Sequence, residues 1–252
     1  MTRQVAAVAA FLAVMAAGCG DPTQQPPSVP PGALPTGAVI GGAAISGRAT
    51  FAGSAPAPEP INMGSDATCH TKQEGEPLRE DLLVGADGSV KNVFVHVVSG
   101  LEGRVFAPPA EPVSLDQRGC LYKPHVAGIQ VGQPLLIINS DSTLHNVHAV
   151  TTVNKGFNFG MSVEGQKITR YFHRPEIMVK AKCDVHPWMA MYLGVVEHPF
   201  FSVTGQDGRF SIAGLPAGTY VLEAWHEKLG TTRQTVTLGD GEKKEISFTF
   251  PG

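Results

Sequence analysis

From Val39 onward the chain is written in short apolar runs broken by Gly, Pro, Asn and Asp. KNVFVHVVS (91–99), PLLIINSD (134–141), EIMVKAKC (176–183), GRFSIAGLPAGTYVLEAWHE (208–227) and KKEISFTF (243–250) read as strands and turns. In EIMVKAKC the two-residue period puts Ile177, Val179, Ala181 and Cys183 on one face and the lysines on the other. The Cys183 thiol is therefore expected to point where the core residues point. No long amphipathic helix is visible. Many short strands with close-set turns predict an all-β fold, a sandwich or a barrel.

The first residues follow a different pattern. MTRQ carries one positive charge, Arg3, and VAAVAAFLAVMAA follows, apolar but too short to span a bilayer comfortably. The run ends in AAGC (16–19). That ending resembles a bacterial lipobox, in which Cys19 is acylated and becomes the mature N-terminus; an ordinary cleaved signal with a chance cysteine is the alternative. In both cases the chain leaves the cytoplasm, and the lipobox implies anchorage to a membrane of the bacterial cell envelope, facing the periplasm. DPTQQPPSVPPGALPTG (21–37) cannot form a core and favours an extended spacer. The expected organisation is a signal peptide at 1–18, a Pro-rich linker at 19–38, N-terminal strands at 39–110, a metal-type domain at 111–198 and a further β-sandwich at 199–252.

With 252 residues the chain has room for one or two real cores. Its net charge of −3 and the absence of a basic run argue against nucleic acid as a partner. Four cysteines are present: Cys19, Cys69, Cys120 and Cys183. If Cys19 is acylated, three remain in an oxidising compartment, so two should pair and one is left over. Cys183 has histidine and methionine beside it, which makes Cys69–Cys120 the expected disulfide, although sequence alone does not fix the connectivity.

The candidate chemistry lies in two stretches. CDVHPWM (183–189) ends a strand and sets Cys183, His186 and Met189 at ligand spacing. SDSTLHNVHAV (140–150) follows another strand and supplies His145 and His148. Two imidazoles and a thiolate with a weak axial thioether suit both Cu(I) and Cu(II). Cys183 alone would read as a small buried hydrophobe; the neighbours change that. His148 reads as a strand histidine beside the site, His125 as structural, His70 as an exposed loop residue and His96 as a sandwich-surface residue. Trp188 is either core or part of an apolar docking patch around the His186 ring edge.

IINSDSTLHNVH followed by CDVHPWM resembles the type 1 copper proteins, the cupredoxins, and among them amicyanin most, over roughly residues 112–197. The resemblance implies a Greek-key β-sandwich, one type 1 copper and outer-sphere electron transfer. Carried over, His145, Cys183 and His186 are equatorial ligands, Met189 is the axial one, and Asn146 ties the two ligand loops by hydrogen bonds. The chain departs from the family in having HRPEIMVKAKC where a Gly-x-Tyr is usual. Met191, where glycine is common, also makes the longer plastocyanin-type loop, so Met191 is the alternative axial ligand. DGRFSIAGLPAGTYVLEA (207–224) resembles the carboxypeptidase regulatory-like, transthyretin-like sandwich. That family opens with a strand like ISGRATFAGSAPAP (45–58), so the expectation is one discontinuous sandwich, about 39–110 plus 199–252, interrupted by the metal-type domain; the simpler alternative is three regions in sequence, with the N-terminal strands added to the central domain.

Catalysis has little support: there is no phosphate loop, nucleophile elbow or HExxH. The expectation is an exported, lipid-anchored copper protein, not an enzyme, passing single electrons between periplasmic redox proteins through the exposed edge of His186. A Cu(I)-binding or delivery protein, favoured by extra sulfur from Met191 and Met161, and a metal-free β-sandwich interaction module are the competing readings.

Overall fold

The computed structural model describes residues 24–37, 39–64, 66–71 and 75–252; Cys19 and the expected export segment lie outside them. Among the described residues the chain is nearly all β. Strand β1 (Ala43–Phe51), the five-residue helix α1 (Ala67–Thr71) and β2 (Phe94–Ser99) come first. A central set follows: β3 (Val113–Gln117), β4 (Tyr122–Lys123), β5 (Val126–Gln130), β6 (Leu135–Asn139), β7 (His145–Val150), β8 (Phe157–Met161), β9 (Lys167–Arg170), β10 (Glu176–Lys182) and β11 (Ala190–Val196). The chain closes with β12 (Phe201–Val203), β13 (Arg209–Leu215), β14 (Gly218–His226), β15 (Gly230–Leu238) and β16 (Lys243–Phe250).

The central strands form two sheets, ordered β5-β11-β10-β7-β8 and β4-β3-β6-β9. Their inward residues, among them Leu115, Ile129, Ile137, Val147, Met161, Val179 and Leu193, make one core. The remaining strands form sheets β13-β1-β16 and β12-β2-β14-β15 around a second core. In that sandwich β1 runs antiparallel to β13 and parallel to β16, so chain from before and after the central strands is knitted into one sheet. The end of the Pro-rich stretch is also tied down, with Leu34 exchanging backbone bonds with Val105 and Ala107 at 2.8 Å.

A seam joins the sandwiches. Phe94 is fully buried there, with Val126 and Val196, and with Phe201, Tyr192 and Trp225 packed around them. Gly128 and Gly194 stand opposite each other in the β5–β11 ladder. A Cβ on Gly194 would meet the Phe94 ring at 2.4 Å, and one on Gly128 would meet Phe201 at 2.3 Å. The missing side chains are what admit the rings.

Strand β10 departs from simple alternation. Val179 and Ala181 are buried as expected, but Ile177 is turned outward, and the ladder shifts between Glu176 and Val179. Glu176 takes the inner position because its carboxylate accepts from the backbone N–H groups of Val153 and Asn154, at 3.2 and 2.9 Å. A buried carboxylate with that many donors costs less than its charge alone suggests. His96 also differs from expectation. It is buried on β2, where Glu223 of the neighbouring strand meets its Nε2 at 3.3 Å.

Candidate metal centre

Antiparallel pairing sets Lys182 of β10 opposite His148 of β7 and Ala190 of β11. The end of β10 and the start of β7 therefore emerge at the same rim of the central sandwich. His145 is the first residue of β7, and Cys183 is the first after β10. The turn from Cys183 to Met189 is closed locally: His186 N–H donates to the Cys183 sulfur at 3.3 Å, Met189 N–H to the His186 carbonyl at 3.0 Å, and Cys183 N–H to the Met189 carbonyl at 3.1 Å.

This brings three donor atoms together. The Nδ1 atoms of His145 and His186 face each other at 3.0 Å, and the Cys183 sulfur lies 3.8 Å from His186 Nδ1. All three donor atoms lie within 4.8 Å of one another, and all three residues are buried. Burial pushes the Cys183 thiol up, but bonds from the His145 side chain and from the backbone N–H groups of Asn146, His186 and Val185 outweigh it. The thiol comes down from 9.0 to about 6, so sulfur is anionic at neutral pH. Burial likewise pushes His145 down, and the Asp141 carboxylate with the Cys183 sulfur outweighs it, leaving the imidazole raised.

The donor set fits a metal ion. Each ring presents its outer nitrogen to a carboxylate: His145 Nε2 lies 2.9 Å from Asp141, and His186 Nε2 lies 3.1 Å from Asp66. A carboxylate only accepts, so each Nε2 carries a proton, and Nδ1 is the nitrogen turned toward the sulfur. Two buried ring nitrogens at 3.0 Å beside a thiolate leave a place for one shared cation, a proton or a metal ion, between them. Two imidazoles and one thiolate are the equatorial donors that suit copper in both oxidation states.

Around this set, Asn146 accepts from the Asp184 N–H at 2.6 Å and donates to Asn158 at 2.8 Å, tying β7 to the Cys183 loop. The Tyr122 hydroxyl donates to the Asn146 carbonyl. Met189 sits in the ligand turn, with its N–H and its carbonyl both engaged by ligand residues. Met191 lies in β11 opposite Ala181, facing the core. Met161 is occupied elsewhere, its sulfur accepting from Gln117 at 3.0 Å.

Cys69 and Cys120 form a disulfide, and it lies against the site: the Cys69 sulfur is 3.5 Å from His186 Nε2. The expected exposed edge of His186 is therefore covered. His186 is 2 % exposed, because Asp66 and Cys69, from the segment around α1, close over it. Trp188 belongs neither wholly to the core nor to an open patch. Its indole N–H donates to the Cys120 carbonyl at 2.9 Å, its ring centroid is 5.2 Å from that of His186, and its outer edge lines a groove of about 910 Å³.

The other histidines are not drawn in. His148 meets Asp184 at 3.1 Å, His125 bonds the Ala190 carbonyl at 3.1 Å and Glu227 across the seam, and His70 is exposed on α1. Sequence reasoning missed Asp66 and Asp141. Asp141 stands four residues before His145 in the quoted motif, a legible signal; nothing in the sequence around Asp66 points to His186.

Comparison with protein-family models finds no match, and comparison with curated proteins finds none. Among solved structures, the chain is similar to a copper-containing nitrite reductase from Thermus scotoductus SA-01, at 20% identity over 40% of this chain and 25% of that one, with a TM-score of 0.33. It thus spans about a quarter of that enzyme's length. A mutant amicyanin in its Cu(I) form is similar at 22% identity over 40% of this chain and 97% of that one, TM-score 0.31. A purple cupredoxin from Nitrosopumilus maritimus is similar at 26% identity over 30% of this chain and 81% of that one, TM-score 0.26.

Proposed function

We propose that this chain is an exported electron carrier holding one type 1 copper, with His145, Cys183 and His186 as equatorial ligands and Met189 as the axial one. The observation that carries it is the buried convergence of two Nδ1 atoms, 3.0 Å apart, on the Cys183 sulfur, all three donors within 4.8 Å of one another. Bound copper supplies a one-electron Cu(II)/Cu(I) couple. The chain's own residues hold the donors still, so that little rearranges when the electron moves. Strand ends fix His145 and Cys183, the three-bond turn fixes His186 and Met189, and Asn146 locks the two loops together. Burial keeps water from adding as a further ligand. The closed His186 edge leaves Trp188, its ring tilted against that of His186 and lining the groove, as the face offered to a redox partner. Anchorage through acylated Cys19 keeps the carrier at the cell envelope, among periplasmic redox proteins.

A delivery role for Cu(I) is less well supported, because Met161 is engaged by Gln117 and, among the described residues, all three donor residues are buried. Loading the soluble chain with Cu(II) tests the reading. An intense visible thiolate-to-copper band is expected; tight colourless Cu(I) binding points to delivery, and no binding leaves a metal-free interaction module.

A further inference from the structure

The disulfide and two aspartates form a connected structure around the ligand pair. The Cys69 N–H donates to Asp66 Oδ1 at 3.0 Å, and Asp66 Oδ2 meets His186 Nε2 at 3.1 Å. On the other side, the Cys120 N–H donates to Asp141 Oδ2 at 2.8 Å, and the same oxygen meets His145 Nε2 at 2.9 Å. Gly119 N–H adds a bond to Asp141 Oδ1 at 2.9 Å. Residues 119 and 120 are both left-handed, with φ of 64° and 52°. That conformation is unusual for Cys120, and it turns two successive N–H groups onto one carboxylate. Each half of the disulfide thus grips, through its own backbone, the carboxylate that grips one histidine.

We infer that Asp66 and Asp141, stapled together by Cys69–Cys120, are positioning residues that fix the tautomer and orientation of both imidazoles and strengthen them as donors toward an oxidised metal ion. The inference rests on the copper reading for its metal, and adds that a segment outside the central strands completes the site. A carboxylate on the far nitrogen of a ligand imidazole makes the near nitrogen a better electron donor. Better donation stabilises the more highly charged oxidation state. The clamp therefore sets affinity for Cu(II) and lowers the reduction potential.

The test uses the full soluble chain and the variants Asp66→Asn and Asp141→Asn, with Asp240→Asn on the far sandwich as control. Asn at 66 still accepts from the Cys69 N–H, so the turn into α1 keeps its cap, while the charged partner of His186 is lost. Each of the two variants is expected to weaken Cu(II) binding about 10- to 100-fold and to raise the reduction potential, with the control unchanged. Unaltered affinity and potential in both overturn the inference. A metal-independent measurement separates its failure from that of the copper reading. Nitrogen-15 spectra of the metal-free chain report which ring nitrogens carry protons, and His186 Nε2 is expected to be protonated. A bare Nε2 in that ring overturns the clamp whether or not copper binds.

Discussion

His145 and His186 at the rim of the central sandwich and His226 in the other sandwich are all withdrawn from water, and His198, against Val97 and Phe200, is partly so. Yet they are prepared for opposite behaviour. Around His226 and His198 burial dominates, and it drives both imidazoles down from 6.5 to about 4. His198 is satisfied by the Val97 carbonyl at 2.9 Å, and His226 accepts from two backbone N–H groups at 3.3 Å. Among the described residues, neither has a carboxylate on its ring nitrogens within hydrogen-bonding distance. At the rim, burial is met by Asp141 and by the Cys183 sulfur, and His145 is raised instead. Burial alone makes an imidazole a neutral packing group. Burial together with a carboxylate behind it and an anion before it makes a donor waiting for a cation.

The largest expected effect breaks the rim outright. Cys183→Ser removes the thiolate, and the copper-loaded chain should lose its visible charge-transfer band completely; a variant that stayed coloured would refute the ligand assignment. Reducing the disulfide comes next. It closes a loop of 51 residues, and opening it should lower unfolding stability by about 4 kcal/mol, read as a lower denaturation midpoint with intact strands.

The contrast between the histidines also predicts acid sensitivity. His198 and His226 have folded values below their unfolded ones, so between pH 6.5 and 4 the unfolded chain takes up protons that the folded chain refuses. Their contribution to stability is complete above pH 6.5 and is lost as pH falls toward 4, at about 2 kcal/mol for each by pH 5. Urea midpoints of the metal-free chain at pH 7 and pH 5 measure it, and His226→Gln should flatten that dependence. An equally steep acid limb in the variant would place the sensitivity elsewhere.

Two smaller effects sharpen the comparison. At the seam, Gly194→Ala forces a Cβ against the Phe94 ring and should cost about 1–3 kcal/mol, visible as a lower melting temperature with the copper band retained. At the rim, Met189→Leu conserves volume and should cost less than about 1.5 kcal/mol, yet shift the reduction potential. Met191→Leu should leave the potential where it was, and the reverse result would move the axial role to Met191.

Much of the fold was legible because it depends on short-range pattern. KKEISFTF is β16 end to end, PLLIIN contains β6, and strand parity carried Val179, Ala181 and Cys183 inward as read from EIMVKAKC. The same parity failed at Ile177, because a bulge and the donors around Glu176 outweigh alternation at the start of that strand. His96 was misplaced for a related reason: its alternation with valines says which face it takes, and only Glu223 on a neighbouring strand makes that face a tolerable place for an imidazole.

By itself the sequence determined which side chains can meet at the rim. Two residues of turn join Cys183 to His186, and a strand end delivers His145, so spacing along the chain suffices to name them. Tertiary structure decided how those groups are held and what they face. Asp66 and Cys69 come to His186 from more than a hundred positions away, through a disulfide and a packed segment that no local period encodes. Two glycines in facing strands open a slot for aromatic rings of the other sandwich. Contacts between distant stretches depend on how whole sheets pack, and packing is a property of the assembled core rather than of any stretch within it.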